Sequence, residues 1–149
     1  MGVVVSTTDE SIYRQHRDDL IRYAAAVAGR AQAEDVLSTV MVRVLARGGL
    51  TRFDDPRPYL FKAVLNEARS LRRRRATTAL DADLEGRLDP DDVDLLDAVM
   101  RLPARQRAAV YLVYWDGRTV ADTAALMGAT PGTIKRYLHL ARQRLRGVL

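Results

Sequence analysis

Thr119-Val-Ala-Asp-Thr-Ala-Ala-Leu-Met-Gly-Ala-Thr-Pro-Gly-Thr-Ile-Lys-Arg-Tyr-Leu-His-Leu-Ala-Arg142 reads as two helices joined by a short glycine-containing turn. Thr119 can cap a first helix whose Val120, Ala121, Ala124 and Met127 fall on one face, and Gly128 supplies the permissive backbone that ends it. Thr130 can cap a second helix with Pro131 at its first position, where a missing N–H costs nothing. Along that helix Ile134, Tyr137, Leu138, Ala141 and Leu145 recur at three and four residues and form a stripe to be buried. Thr133, Lys135, Arg136, His139 and Arg142 are left outside. The pattern is a helix-turn-helix, which lays its second helix in the major groove with the N-terminal residues nearest the base edges. Thr130, Thr133, Lys135, Arg136, His139 and Arg142 are therefore the candidate duplex-DNA contacts. Lys135 and Arg136 lead, with Thr133 and the open N–H groups of the first turn available to phosphate oxygens. A merely solvated basic face is the competing interpretation, and the succession of cap, turn and cap argues against it.

Composition points the same way. The 149 residues suffice for one ordinary domain or two small ones, and a net charge of +5 favours a polyanionic partner. Position matters more than the total. Residues 1–75 carry 14 basic and 9 acidic side chains, residues 76–100 carry 1 and 8, and residues 101–149 carry 9 and 2. Two basic blocks thus flank an acidic one. With no cysteine, disulfides and thiolate metal sites are excluded, and the chain suits a reducing cytoplasm. Val3-Val4-Val5 is too short for a signal core or a membrane span, so a soluble cytoplasmic protein without membrane insertion is expected.

Residues 76–92 read as an acidic linker, with scattered leucines, many carboxylates, one Gly and one Pro. Stretched, its central part would reach roughly 45–50 Å, more than the roughly 35 Å of one DNA turn. Two modules, 9–75 and 93–149, could then touch separate stretches of one duplex. The first module reads as three helices. One opens at Asp9 or Ser11, carries Ile12, Leu20, Tyr23, Ala24 and Val27, and closes at Gly29. The second runs from about Ala31 to Arg47, with Val36, Leu37, Val40, Val44 and Leu45 inward. Asp54 to Pro58 starts the third, with Tyr59, Leu60, Ala63, Val64 and Leu71 inward. No hairpin signal occurs, so the expected class is all-α, two small helical bundles. The third helix presents Lys62, Asn66 and Arg69 at successive turns and ends in Arg72-Arg-Arg-Arg75, a positive track suited to nucleic acid. Cations at a helix C-terminus also answer the macrodipole, and that alternative weighs equally for the run alone.

At this point the chain resembles the extracytoplasmic-function sigma factors, promoter-recognition subunits of bacterial RNA polymerase. Ala33-Glu34-Asp35 and the helix after it resemble the start of that family's core-binding helix. Pro56-Arg57-Pro58-Tyr59-Leu60, with Asn66 and the arginines that follow, is similar to its promoter-melting helix. Leu102-Pro103-Ala104-Arg105-Gln106-Arg107, Asp116-Gly117-Arg118-Thr119, Gly132-Thr133-Ile134-Lys135 and Ala141-Arg142 are similar to its C-terminal module, so the likeness runs from about Ile12 to Leu145. The resemblance implies that Glu34, Asp35, Ser38 and Thr39 meet the clamp of the polymerase largest subunit. It implies that Lys62, Asn66, Arg69, Arg72 and Arg73 take the minus-ten strand, with bases in polar pockets and arginines on phosphates. The C-terminal module would read the minus-thirty-five element as duplex and also meet the polymerase flap, and the acidic linker would mimic nucleic acid in a positive channel. An anti-sigma factor joins core polymerase and promoter DNA among the implied partners. The family usually places a Gln and an acidic residue shortly after its Glu-Asp pair, and an aromatic a little further on; this chain has Ser38, Thr39 and Met41.

Two other classes compete. A helix-turn-helix regulator acting without core polymerase would share the C-terminal module, but it leaves the first module and the linker unexplained. An enzyme lacks support: His16 and His139 are the only histidines, neither has metal-ligand spacing, and no Walker loop or nucleophile elbow occurs. No cofactor and no metal are expected. Trp115, with Tyr111 and Tyr114, is expected to pack a small core before Asp116-Gly117 rather than to stack on bases, and Met41 and Met127 to fill core space.

Overall fold

Periodic apolar residues become helices here wherever a neighbour can cover them. The computed structural model describes residues 7–78 and 95–147, and among these every regular element is helical. Helix α1 is Thr7–Ala28, α2 is Arg30–Ala46, and α3 is Arg57–Thr78. Then follow α4 (Leu95–Met100), α5 (Ala104–Val110), a π-helical turn (Tyr111–Trp115), α6 (Val120–Met127) and α7 (Pro131–Arg146). Residues 76–78, read as the start of the linker, continue α3, while residues 79–92 of that stretch lie outside the described residues.

Helices α1, α2 and α3 pack mutually through the stripes their sequences mark: Leu20, Tyr23, Ala24 and Val27 meet Val36, Leu37, Val40 and Val44, with Leu60, Phe61 and Val64 closing the third side. In the C-terminal half α5, α6 and α7 enclose Ala108, Leu112, Ala124, Ile134, Leu138 and Ala141. The inner face of α6 is Thr123, Ala124, Leu126 and Met127. Ala121, expected inside, is exposed and Val120 is half-covered, a rotation of part of a turn. The two halves share one apolar cluster: α5 lies across α1 and α3, and α6 lies on α3.

The aromatic expectation fails at two of three positions. Tyr111 is half-buried and its ring stands 6.1 Å from that of Tyr23, but Tyr114 and Trp115 are each about half exposed. The cause is local. Between Val110 and Asp116 the chain winds as a π-turn, with Asp116 N–H donating to Tyr111 O at 2.9 Å. One extra residue per turn rotates everything after Tyr111 relative to an α-helical extrapolation.

Candidate nucleic-acid interface

The turn before α7 is built as its residues require. Thr119 accepts from Asp122 N–H at 3.0 Å to start α6, and Gly128 ends it in the left-handed region (φ 65°, ψ 38°). Ala129 N–H returns to Ala124 O at 2.9 Å. Thr130 then accepts from Thr133 N–H at 3.2 Å, with Pro131 beginning α7. The Thr130 and Thr133 hydroxyls also bond each other at 2.9 Å, so both are committed to the cap before any ligand arrives. Opposite buried Ile134, Leu138 and Ala141, the side chains of Lys135, Arg136 and His139 stand exposed. Arg142 is exposed as well but occupied: it donates to the Tyr114 hydroxyl and lies 5.8 Å from that ring's centroid. Tyr114 therefore joins the margin of this basic face, an addition the sequence pattern did not reveal.

The second basic surface is a groove of about 480 Å³ between α2 and α3. Lys62, Asn66 and Ser70 line it from α3 at four-residue spacing, Arg43 and Arg47 face them from α2, and Tyr59 closes one end. Glu67 sits on the wall, buried, and bridges Arg43 (2.9 Å) and Arg74 (3.0 Å), which holds two guanidinium groups at the rim. Beside Tyr59 the rings of Phe53 and Tyr59 stack at 4.7 Å, with the Arg52 guanidinium 4.5 Å from the Phe53 centroid. Cations, an amide, a hydroxyl and an aromatic edge in one groove suit an unpaired strand.

The expected track Lys62, Asn66, Arg69 is split by this packing. Arg69 and Arg72 turn from the groove toward the C-terminal half. Arg69 is half-buried, and burial first, then the charges of Arg105 and Arg73, lower its pKa from the ordinary value. Arg72 donates to Leu102 O at 3.4 Å, while Arg73 is exposed.

The loop over residues 47–56 is tied down from a distance. Asp9, buried in the first turn of α1, accepts from Leu50 N–H at 2.8 Å. Gly49 has φ +81°, and a Cβ there would stand 2.8 Å from an Asp9 carboxylate oxygen, so only glycine admits the clamp. Asp9→Ala strands a buried N–H and removes a charge-assisted bond worth about 2 kcal/mol. A melting temperature lower by roughly 5 °C is expected by circular dichroism, with Asp9→Asn, which keeps an acceptor, recovering most of it. Equal melting of Asp9→Ala and the parent would remove the clamp from the account.

On the outer side of α2, Glu34, Asp35 and Ser38 are exposed and Thr39 is half-buried. Glu34 is already paired with Arg17 of α1 at 2.8 Å. One turn beyond Ser38, Val42 is 58% exposed and edges a shallow apolar groove with Tyr13, Met41 and Leu45. A valine inside the apolar run Val40-Met41-Val42 carries no periodic signal of its own exposure, so the sequence pattern does not mark it. Among the described residues there is no metal-ligating cluster, and no helix is long and apolar enough to cross a membrane.

Comparison with known proteins matches this geometry in both halves. Residues 12–78 match the family model for sigma-70 region 2, and residues 92–145 that for sigma-70 region 4. The chain is 32% identical to the ECF RNA polymerase sigma factor SigM of Mycobacterium tuberculosis over 94% of this chain and 76% of that one. It is 31% identical to the RNA polymerase sigma-E factor of Streptomyces antibioticus, over 92% and 82% of the two chains. Among solved structures, the sigma factor RpoE from Bartonella quintana, in complex with the anti-sigma factor NepR, superposes with a TM-score of 0.70 at 25% identity, covering 96% of this chain and 97% of that one. A helix-turn-helix, a grooved basic helix and these likenesses along nearly the whole chain lead to one assignment: it belongs to the ECF sigma factors, the initiation factors that direct bacterial RNA polymerase to promoters.

Proposed function

We propose a division of labour within this sigma factor. Residues 9–75 dock on the polymerase clamp through Glu34, Asp35, Ser38 and Thr39 and hold the opened minus-ten strand with Lys62, Asn66, Arg69, Arg72 and Arg73. Residues 93–149 read the minus-thirty-five duplex with Thr130, Thr133, Lys135, Arg136, His139 and Arg142, and residues 76–92 join the two. The factor works in the cytoplasm, is not itself an enzyme, needs no cofactor, and is a target for an anti-sigma factor.

One observation supports this reading above the rest: a single chain carries two basic surfaces of different kinds. The α3 groove, with Asn66 and Ser70 set between cations, has the shape for bases already out of the stack. The convex face of α7 presents its cations outward, as a major groove requires. Asn66→Ala tests the division. With core polymerase on a promoter, permanganate reactivity of unpaired thymines is expected to fall about tenfold, the loss of one good base contact. Binding to a closed minus-thirty-five duplex should stay within about twofold of the parent. Equal loss in both assays would mean that Asn66 serves duplex binding or folding instead.

A further inference from the structure

Arg107 is the least expected charge in this molecule. It lies on α5, is 6% exposed, and donates to Val27 O at 2.7 Å and Met100 O at 2.5 Å. Those carbonyls belong to the last turns of α1 and α4, where helices leave acceptors unpaired and their dipoles favour a cation. One guanidinium thus fastens the end of an N-terminal helix to the start of the C-terminal half, across 80 positions of sequence. Around it the halves interleave: Tyr23 packs on Phe61 at 4.7 Å and faces Tyr111, and the Arg118 guanidinium lies 5.5 Å from the Phe61 centroid.

The closure falls unevenly on the two basic surfaces. Lys62 lays its end on the turn of the helix-turn-helix, where a Cβ on Gly128 would stand 3.3 Å from Lys62 Cδ. Arg69 faces Arg105 of α5, and Arg72 bonds Leu102 O. Arg69 and Arg72, both expected on the minus-ten strand, are therefore half-buried against the other module, and Lys62, though exposed, leans on it, whereas Lys135, Arg136 and His139 stand clear. Distance adds to this. A compact chain of this length has a radius of gyration of about 15 Å, a body about 40 Å across. Elements centred near minus ten and minus thirty-five lie about 85 Å apart at about 3.4 Å per base pair. One closed body cannot hold both.

From these contacts we infer that Arg107 is a latch keeping the free factor closed, so that it offers its duplex-reading face while keeping Arg69 and Arg72 of α3 from single-stranded DNA until the modules part. The inference rests on α3 being the strand-binding helix. The latch is built to release. Tyr23 Oη, Gln106 Oε1 and Thr123 Oγ1, all on helices that meet across the junction, are buried with no hydrogen-bond partner, and Arg69 is crowded by Arg105. Opening returns all of them to water.

The test uses the full chain, whose lack of cysteine allows dyes at Ala31→Cys and Gln143→Cys, both exposed. Arg107→Met keeps the apolar stem and removes the donors. It is expected to lower energy transfer between the dyes and raise affinity for a minus-ten non-template oligonucleotide at least fivefold, with duplex affinity within twofold. Should Arg107→Met lose its helical circular dichroism, Arg118→Ser, which leaves Phe61 uncovered at the same junction, carries the same expectation. Low transfer in the parent, or a variant that opens yet binds the strand no better, overturns the latch. Adding Asn66→Ala to the opened variant separates the two ideas. A strand-binding gain that survives this change leaves the latch standing and removes α3 as the reader.

Discussion

Replacing Lys135 and Arg136 together with alanine is expected to weaken binding to a minus-thirty-five duplex on the order of a hundredfold. Each contact to a base edge is worth about 1–3 kcal/mol, and about 3 kcal/mol for the pair corresponds to that factor. The salt dependence carries more information than the affinity. Removing one phosphate-binding cation lowers the slope of log K against log salt by about 0.9, so a titration between about 50 and 200 mM salt should show a slope smaller by up to about 1.8. The fold should not register the change. Both side chains are exposed opposite Ile134, Leu138 and Ala141, the cap belongs to Thr130, and alanine is the better helix former. Arg142→Ala should cost less than tenfold, because Arg142 already spends its guanidinium on Tyr114. An unchanged slope in the double variant would move the duplex contact away from α7.

What could be read in advance was local. Thr119, Gly128, Thr130 and Pro131 act within four residues of themselves, so their order in the chain announces the helix-turn-helix, and the structure forms each cap at the residue named. The buried stripe of α2 and the charge of the α3 C-terminus are visible for the same reason: periodicity is a local property. What stayed hidden acts over long separations. Asp9 finds Leu50 across 41 positions, Glu67 finds Arg43 across 24, and Arg107 finds Val27 across 80. No spacing rule links such pairs. A buried Arg107 was improbable by composition alone, since arginine is seldom fully buried unless paired. Arg69 illustrates a subtler limit. Helical geometry correctly sets it near the face of Lys62 and Asn66, but which edge of that face stays open depends on what α5 and α6 cover. Tyr114 and Trp115 were misplaced for a local reason of another kind, because a π-turn shifts the period and sequence gives no sign of it.

The shared cluster also changes how variants must be interpreted. Tyr23, Phe61 and Leu112 have almost no exposure, and Tyr23 meets aromatic rings from both halves. On the proposed division of labour, substituting such a residue is expected to disturb strand capture and duplex reading together, even though it lies on neither basic surface. Surface variants on a single face are therefore the informative ones. Each basic surface can then be altered while the packing that positions the other is left alone.

The outer side of α2, proposed above to dock on the polymerase, offers the second large effect. Val42→Asp is expected to reduce affinity for core polymerase by at least about a hundredfold, and Asp35→Arg by about tenfold. The order follows from burial. A valine that is 58% exposed beside Tyr13, Met41 and Leu45 leaves an apolar edge open to water. Covering a side chain of that size is worth about 1.5–3 kcal/mol. Aspartate forfeits that gain and brings an unpaired charge into a drying interface, a cost of several kcal/mol more. Asp35 sits two turns earlier on the same outer face and is exposed, so reversing its charge opposes a basic partner without touching the core. Glu34→Ala should do least, since Glu34 is already bound to Arg17 within the chain. Competition binding to purified core, with melting curves and minus-thirty-five duplex affinity as controls, gives the ranking directly. If Glu34→Ala outranks Val42→Asp, the polymerase meets the N-terminal end of this helix, and the apolar edge at Val42 faces something else.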